Sequence, residues 1–142
     1  MIEARLESPR KLKLAFAEIS RASQRSTVTK AARAAAKEIG LEMRRLAPRS
    51  VRPTHPQGHA YKTIKWVLLD RWPDRAEFGI GPTDWGWYLW LHEVGTSRFA
   101  AQPFMRPALE NKTGAAVSAA GDVFRDAVLD AARRAAMRHA RR

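Results

Sequence analysis

The side chains able to do chemistry are few and dispersed. His55 and His59 stand four residues apart, the spacing that sets two imidazoles over one metal ion on a helix. Pro56 and Gly58 lie between them, however, and no H-E-x-x-H run follows, so exposed loop histidines are expected. His92 precedes Glu93 without an identifiable serine or cysteine partner, which leaves a hydrolytic triad unsupported. Glu93 has no second carboxylate nearby for acid/base work, so the expectation is a structural role, accepting bonds from a turn or pairing with a cation. Gly79 and Gly81 are followed by Pro82 where a phosphate loop needs a helix N-terminus, which makes GIGP a turn. The chain has no cysteine in 142 residues, excluding disulfides, thiolate nucleophiles and the usual zinc sites. No catalytic residue, metal or cofactor is expected from this inventory.

What is concentrated is aromatic surface. Residues 85–96 read WGWYLWLHEVGT, with Trp85, Trp87, Tyr88, Trp90 and Leu91 close together. Aromatic side chains each remove about 150–250 Å² from water when buried, more than one small core can absorb from a single short segment. The surplus is expected to be buried only on assembly. A base-stacking platform for single-stranded nucleic acid is the competing use, but the surrounding segment is poor in Lys and Arg. Just downstream, Gly95 is suited to a positive φ that closes a turn, Thr96 to a local backbone hydrogen bond, and Pro103 and Pro107 to stiffening the start of a helix with Phe104 as an apolar anchor.

The elements that must position this segment are two helical flanks around a β-type centre. Over residues 27–47, Val28, Ala31, Ala32, Ala35, Ile39, Met43 and Leu46 recur at three- and four-residue steps and predict an amphipathic helix. Lys30, Arg33, Lys37 and Arg44 fall on the opposite face. Ser26 or Thr27 caps its start and Pro48 stops it. A shorter amphipathic segment around Leu6, Leu12, Leu14, Phe16 and Ile19 precedes it, within an N-terminal helical segment 1–26. Residues 49–58 hold two prolines and a glycine and predict an exposed loop. Residues 61–69 have β composition, and after the turn signal Trp72-Pro73-Asp74, Ala76, Phe78 and Ile80 alternate with Arg75, Glu77 and Gly79. An antiparallel hairpin follows from that pattern.

The last helix is expected from near Pro107, with Val117, Ala120, Phe124, Val128, Ala131 and Ala135 as its stripe and a basic tail at 137–142. One α+β domain spanning 1–142 is the reading: a small antiparallel sheet packed against a long helix, with a C-terminal helix. Charge follows the same division. The net charge is +12, with residues 1–52 and 111–142 carrying the excess and residues 53–110 balanced at 6 Lys/Arg against 6 Asp/Glu. Such flanks attract nucleic acid, an acidic protein surface or anionic lipid, and charge alone does not choose. The start MIEARLESPRKLKL has no continuous apolar stretch, so neither a signal peptide nor a membrane role is expected.

Residues 88–110, YLWLHEVGTSRFAAQPFMRPALE, resemble the signature of the gene-product-ten-like tail-component family of lambdoid tailed phages. That signature is an aromatic approach to an E-φ-G-T turn, a short variable loop, then P-F-φ-x-P-A opening the last helix. Here it stands as Glu93, Val94, Gly95 and Thr96, then Pro103, Phe104, Met105, Arg106, Pro107 and Ala108. Leu46, Ala47 and Pro48 match the LAP that closes the family's long helix. The chain departs from it after that LAP, where RSVRPTHPQGHAYKTIK replaces a shorter T-G-x-L-x-x-S-I segment.

The resemblance implies a structural virion protein of the head-tail junction, a neck or tail-completion subunit. It implies a homo-oligomeric ring, sixfold in symmetry, between a portal-side connector or head-closure protein and the tail terminator or tail tube protein. Viral double-stranded DNA would pass through its channel, and the subunit would assemble in the host cytoplasm. On that reading Trp85, Trp87, Trp90, Glu93, Gly95, Thr96, Pro103, Phe104 and Pro107 form a subunit or neighbour interface. Lys30, Arg33, Lys37, Arg44, Arg138, Arg141 and Arg142 would contact DNA or an acidic partner. The alternative is a free basic nucleic-acid-binding module using the same positive helices, which predicts salt-sensitive DNA binding by a monomer or dimer. An enzyme ranks behind both.

Overall fold

The computed structural model describes residues 21–49 and 58–139. The amphipathic segment around Leu6 to Ile19, His55, and the terminal Arg141 and Arg142 lie outside the described residues, as does the side chain of Arg138. In chain order the elements are helix α1 (Arg21–Leu46), a short 3-10 turn (Ala60–Thr63), strands β1 (Ile64–Arg71) and β2 (Ala76–Pro82), a second 3-10 turn (Asp84–Tyr88), helix α2 (Leu89–Val94) and helix α3 (Met105–His139). The fold is α+β, a two-stranded antiparallel sheet with a long N-terminal and a C-terminal helix.

Helix α1 is the centre of the molecule because two of its stripes are covered. One stripe faces α3, where Ala35 and Ile39 border an open groove together with Leu109, Ala116 and Phe124, while Thr27 and Lys30 lie by Val123, Asp126 and Asp130. Early residues of one helix thus lie beside late residues of the other, so the pair is antiparallel. Ala31, buried on this stripe, lets the two backbones approach closely. The other stripe takes the hairpin. Gly40 lies under the Trp66 ring, and a Cβ built there would stand 2.5 Å from Trp66 Cε3. The Arg44 guanidinium is 5.0 Å from the centre of the Trp66 ring, and the Arg33 guanidinium is 6.0 Å from that of Phe78.

This corrects the expectation of one buried and one solvent-facing side on α1. The arginines of the basic face cover the hairpin's apolar side chains by stacking on aromatic rings, a use of cation–π contact and of the apolar stems of long side chains.

The hairpin register pairs Trp66 with Ile80 and Leu68 with Phe78, putting these four side chains on the face toward α1. A bulge between Leu68 and Asp70 shifts the register near the turn. On the outer face Val67 and Leu69 are exposed, with Leu69 lying over Gly79. Residues 61–63, expected to begin the strand, instead form the 3-10 turn, because the Thr63 hydroxyl donates to Ala60 O at 2.7 Å and closes it.

The main core gathers Met43, Ala47, Ala60, Ile64, Leu89, Phe104, Met105 and Ala108, drawn from the end of α1, the first 3-10 turn, β1, α2 and the start of α3. Ile64, Leu89 and Phe104 are its largest wholly buried side chains. Each contributes about 1.5–3 kcal/mol relative to an exposed position.

Candidate functional site

The site is the segment from Asp84 to Pro107, held at both ends. At its start, Thr83 N–H and Thr83 Oγ1 both donate to Thr63 O, at 3.1 and 2.8 Å. Lys65 Nζ pairs with Asp84 Oδ2 at 3.0 Å, the ammonium holding the Asp84 carboxyl below its usual range. Gly86 is buried against Thr63, where a Cβ would come within 2.7 Å of Thr63 Cβ, so only glycine lets this turn sit down on the first 3-10 turn.

At the other end Glu93 does the holding. Its Oε2 accepts hydrogen bonds from Phe104 N–H at 2.7 Å and Met105 N–H at 2.8 Å, and its Oε1 from Arg106 N–H at 3.2 Å. A helix leaves its first four N–H groups without intrahelical partners. In α3, Phe104 is the capping residue, its carbonyl accepting the first helical bond from Ala108 N–H at 3.1 Å. The four groups in question belong to residues 104–107. Glu93 takes three, and the fourth does not exist, because residue 107 is proline. The accounting at this helix end therefore closes without a local Ser, Thr, Asp or Asn.

Burial raises the Glu93 carboxyl, but the bonds from Met105, Phe104 and Arg106, helped by the Arg106 charge, outweigh it and hold the group below its ordinary value of 4.5.

Between Glu93 and α3 the chain makes a tight reversal. Gly95 has φ +77° and ψ 173°, a region essentially confined to glycine, and a Cβ there would stand 2.7 Å from Ala101 N. Thr96 N–H donates to Phe99 O at 3.0 Å, and Thr96 Oγ1 accepts from Arg98 N–H at 3.2 Å. Gln102 N–H donates to His92 O at 2.7 Å, closing the base of the loop. The Glu-Val-Gly-Thr and Pro-Phe-Met-Arg-Pro runs are thus two halves of one clamp.

The clamp sorts the aromatic cluster. Trp85 is half-buried against the core, as is Tyr88, and Phe104 is 1% exposed inside this chain's own core. Phe104 therefore corrects the expectation of an interface side chain: it anchors α3 internally. Trp87 is 64% exposed, Trp90 56% and Val94 57%, with Phe99 and Pro103 also on the surface. Trp87 and Tyr88 meet edge to face at 6.4 Å. Pro107, in the first turn of α3, is half-buried.

Among the basic residues, Lys30 and Lys37 are exposed. Arg44 is not a free surface cation: it is half-buried and its Nε donates to Ile64 O at 2.9 Å. Arg33 is exposed but lies over Phe78.

Two features were outside the reach of the sequence reading. One is the identity of the Glu93 partner. The signal was there: a long helix opened by Gln102-Pro103-Phe104 has no local capping side chain, so an acceptor has to arrive from elsewhere. The other is a cavity of about 270 Å³ between the ends of α1, the first 3-10 turn, α2 and the loop before α3. Arg49, His59, Tyr88, His92 and Gln102 supply its polar lining. The Nδ1 atoms of His59 and His92 are both buried without a hydrogen-bond partner among the described residues. Nothing in residue spacing links His59 to His92. No group of three or more His, Asp or Glu side chains placed to hold a metal ion occurs among the described residues, and no described helix is long and apolar enough to cross a membrane. Compared with family models, curated proteins and solved structures, the chain matches none.

Proposed function

We propose that this protein is a structural subunit of the head-tail junction of a tailed bacteriophage, a neck or tail-completion protein that forms a homo-oligomeric ring, sixfold in symmetry. The observation that carries the reading is the pair Trp87 and Trp90, with Val94, more than half exposed on a turn clamped at both ends. Indole rings held in water by a rigid backbone gain from burial without the entropy cost of ordering a loop, which is how interface anchors work. The motif resemblance of residues 88–110 supports the assignment to the lambdoid tail-component family.

A second apolar surface makes a ring the economical assembly. An open groove of about 480 Å³ runs between α1 and α3, lined by Ala35, Ile39, Leu109, Val117, Ala120 and Phe124. It shares no element with the tryptophan turn. Two different patches on one subunit pair head to tail, and head-to-tail contacts close into a ring when the rotation allows. We assign the second copy as the occupant: the Trp87/Trp90 turn of one subunit seats against the groove of the next. The ring's outer partners are a portal-side connector or head-closure protein and the tail terminator or tail tube protein. Lys30 and Lys37, with the 137–142 tail, would face DNA in the channel or an acidic neighbour.

Light scattering on the purified full chain, with imaging of the same sample, tests this. Closed rings that dissociate to monomers in the Trp87→Ser/Trp90→Ser variant are expected. A monomer at every concentration that binds DNA in a salt-sensitive way refutes the ring and favours the free nucleic-acid-binding module.

A further inference from the structure

The cavity at the foot of α1 carries a property independent of assembly. It is lined by Pro48, Arg49, His59, Ala60, Tyr88, Leu89, His92 and Gln102, so three of its eight residues carry a cationic or ring N–H donor and none is Asp or Glu. Its polar walls are held in place from behind. The Tyr61 ring supports two of them, with the Arg49 guanidinium 4.6 Å above its centre and the His59 ring stacked at 5.7 Å and 26°. The third, His92, is fixed by Gln102 N–H on its carbonyl and by the Phe99 ring at 5.1 Å. Arg49 makes no ion pair among the described residues, and both imidazoles have a buried, unpartnered Nδ1.

We propose that this cavity binds an oxyanion, a carboxylate or phosphate group, with Arg49 as the charged fork and His59 and His92 as flanking N–H donors. The charge of the lining decides the class of ligand. A metal cation would meet the Arg49 guanidinium and no carboxylate to neutralise it. An oxyanion meets a planar donor fork suited to two of its oxygens and imidazole donors for the remaining acceptor sites. The Gln102 amide adds a neutral donor that favours no particular oxygen geometry. Three donors already ordered by their neighbours lose little freedom on binding, so the site is preorganised for an anion that arrives from outside the chain.

The probes are inorganic phosphate and acetate. The full chain is titrated with each at constant pH and constant ionic strength, balanced with chloride, while the side-chain ring nitrogens of His59 and His92 are followed by NMR. Saturable shifts at both rings with one common affinity are expected. The stronger of the two anions identifies whether the natural group is a phosphate or a carboxylate. Arg49→Met should weaken that affinity by about tenfold or more, the loss of a charged hydrogen-bonding partner. Arg49→Lys should keep part of it, and Arg125→Met, on the stretch of α3 that lies beside the start of α1, should leave it unchanged. Arg49 is exposed, so its replacement leaves the core intact. Absence of saturable shifts, equal shifts from chloride alone, or unchanged affinity in Arg49→Met would each overturn the proposal. Ring formation is read separately by light scattering, so failure here leaves the assembly reading where it was, and the reverse holds too.

Discussion

Replacing Glu93 with alanine removes the acceptor for three backbone N–H groups at one end of a 35-residue helix. Hydrogen bonds to a charged group contribute about 1.5–3 kcal/mol, loss of a capping side chain costs about 0.5–2, and a carboxylate at a helix N-terminus adds about 0.3–1. These overlap, because they describe the same contact. Glu93 is also half-buried, so water replaces part of what is lost. A destabilisation of about 2–3 kcal/mol follows, which for a chain of this size lowers the melting temperature by about 6–12 °C.

Glu93→Gln keeps one acceptor oxygen and loses the charge, and should fall between alanine and the natural residue. The pH dependence has a definite sign. Because the folded-state pKa lies below the ordinary 4.5, the carboxylate's contribution is complete above the unfolded value and disappears as pH falls through the folded one. The gap in melting temperature between the natural chain and Glu93→Gln should be widest at neutral pH and shrink below about pH 4.5. Circular dichroism melts at stepped pH measure it. A gap under about 2 °C at pH 7, or one equally wide at pH 3.5, would refute the capping role.

Gly95→Ala places a Cβ 2.7 Å from Ala101 N at φ +77°, and should cost about 1–3 kcal/mol in a urea titration with an unchanged slope. Gly40→Ala forces the Trp66 ring off α1; a loss of about 1–3 kcal/mol with an altered tryptophan fluorescence spectrum is expected, and a silent substitution would contradict the packing of the hairpin. Trp87→Ser and Trp90→Ser should each change monomer stability by less than about 1 kcal/mol, since both rings are mostly in solvent, while abolishing self-association in sedimentation runs. A large loss of stability in either would mean that the ring is buried within the subunit.

The elements most legible in the sequence were those in which one period dominates. The α1 stripe Ala31, Ala35, Ile39 reads as helix because nothing else places small apolar residues on one face, and the hairpin reads from the alternation of Ala76, Phe78 and Ile80. The second packed face of α1 was illegible for a physical reason. Periodicity scores arginine as solvent-facing, whereas Arg33 and Arg44 cover Phe78 and Trp66 through their guanidinium planes. Gly40 was the only sign that a bulky ring had to fit there, and one glycine in a helix has other readings. The start of β1 was misplaced because Tyr61 and Thr63 have β-favouring side chains that a local hydroxyl bond redirected into a 3-10 turn.

The candidate site was legible in its residues and not in its connections. Glu93 and Pro107 look like separate local signals, yet they solve one problem, since the proline removes the single N–H that the carboxylate does not reach. That division has a mechanical result. A cap supplied from within helix α2 ties the direction of α3 to the segment that carries Trp87 and Trp90, so the backbone of that segment cannot swing away without breaking the bonds that cap the start of α3. A capping serine on α3 itself would satisfy much the same N–H groups and leave the tryptophan turn free to move. The remote carboxylate therefore accounts for something a local cap does not, a fixed angle between the aromatic turn and the helix beside the α1–α3 groove.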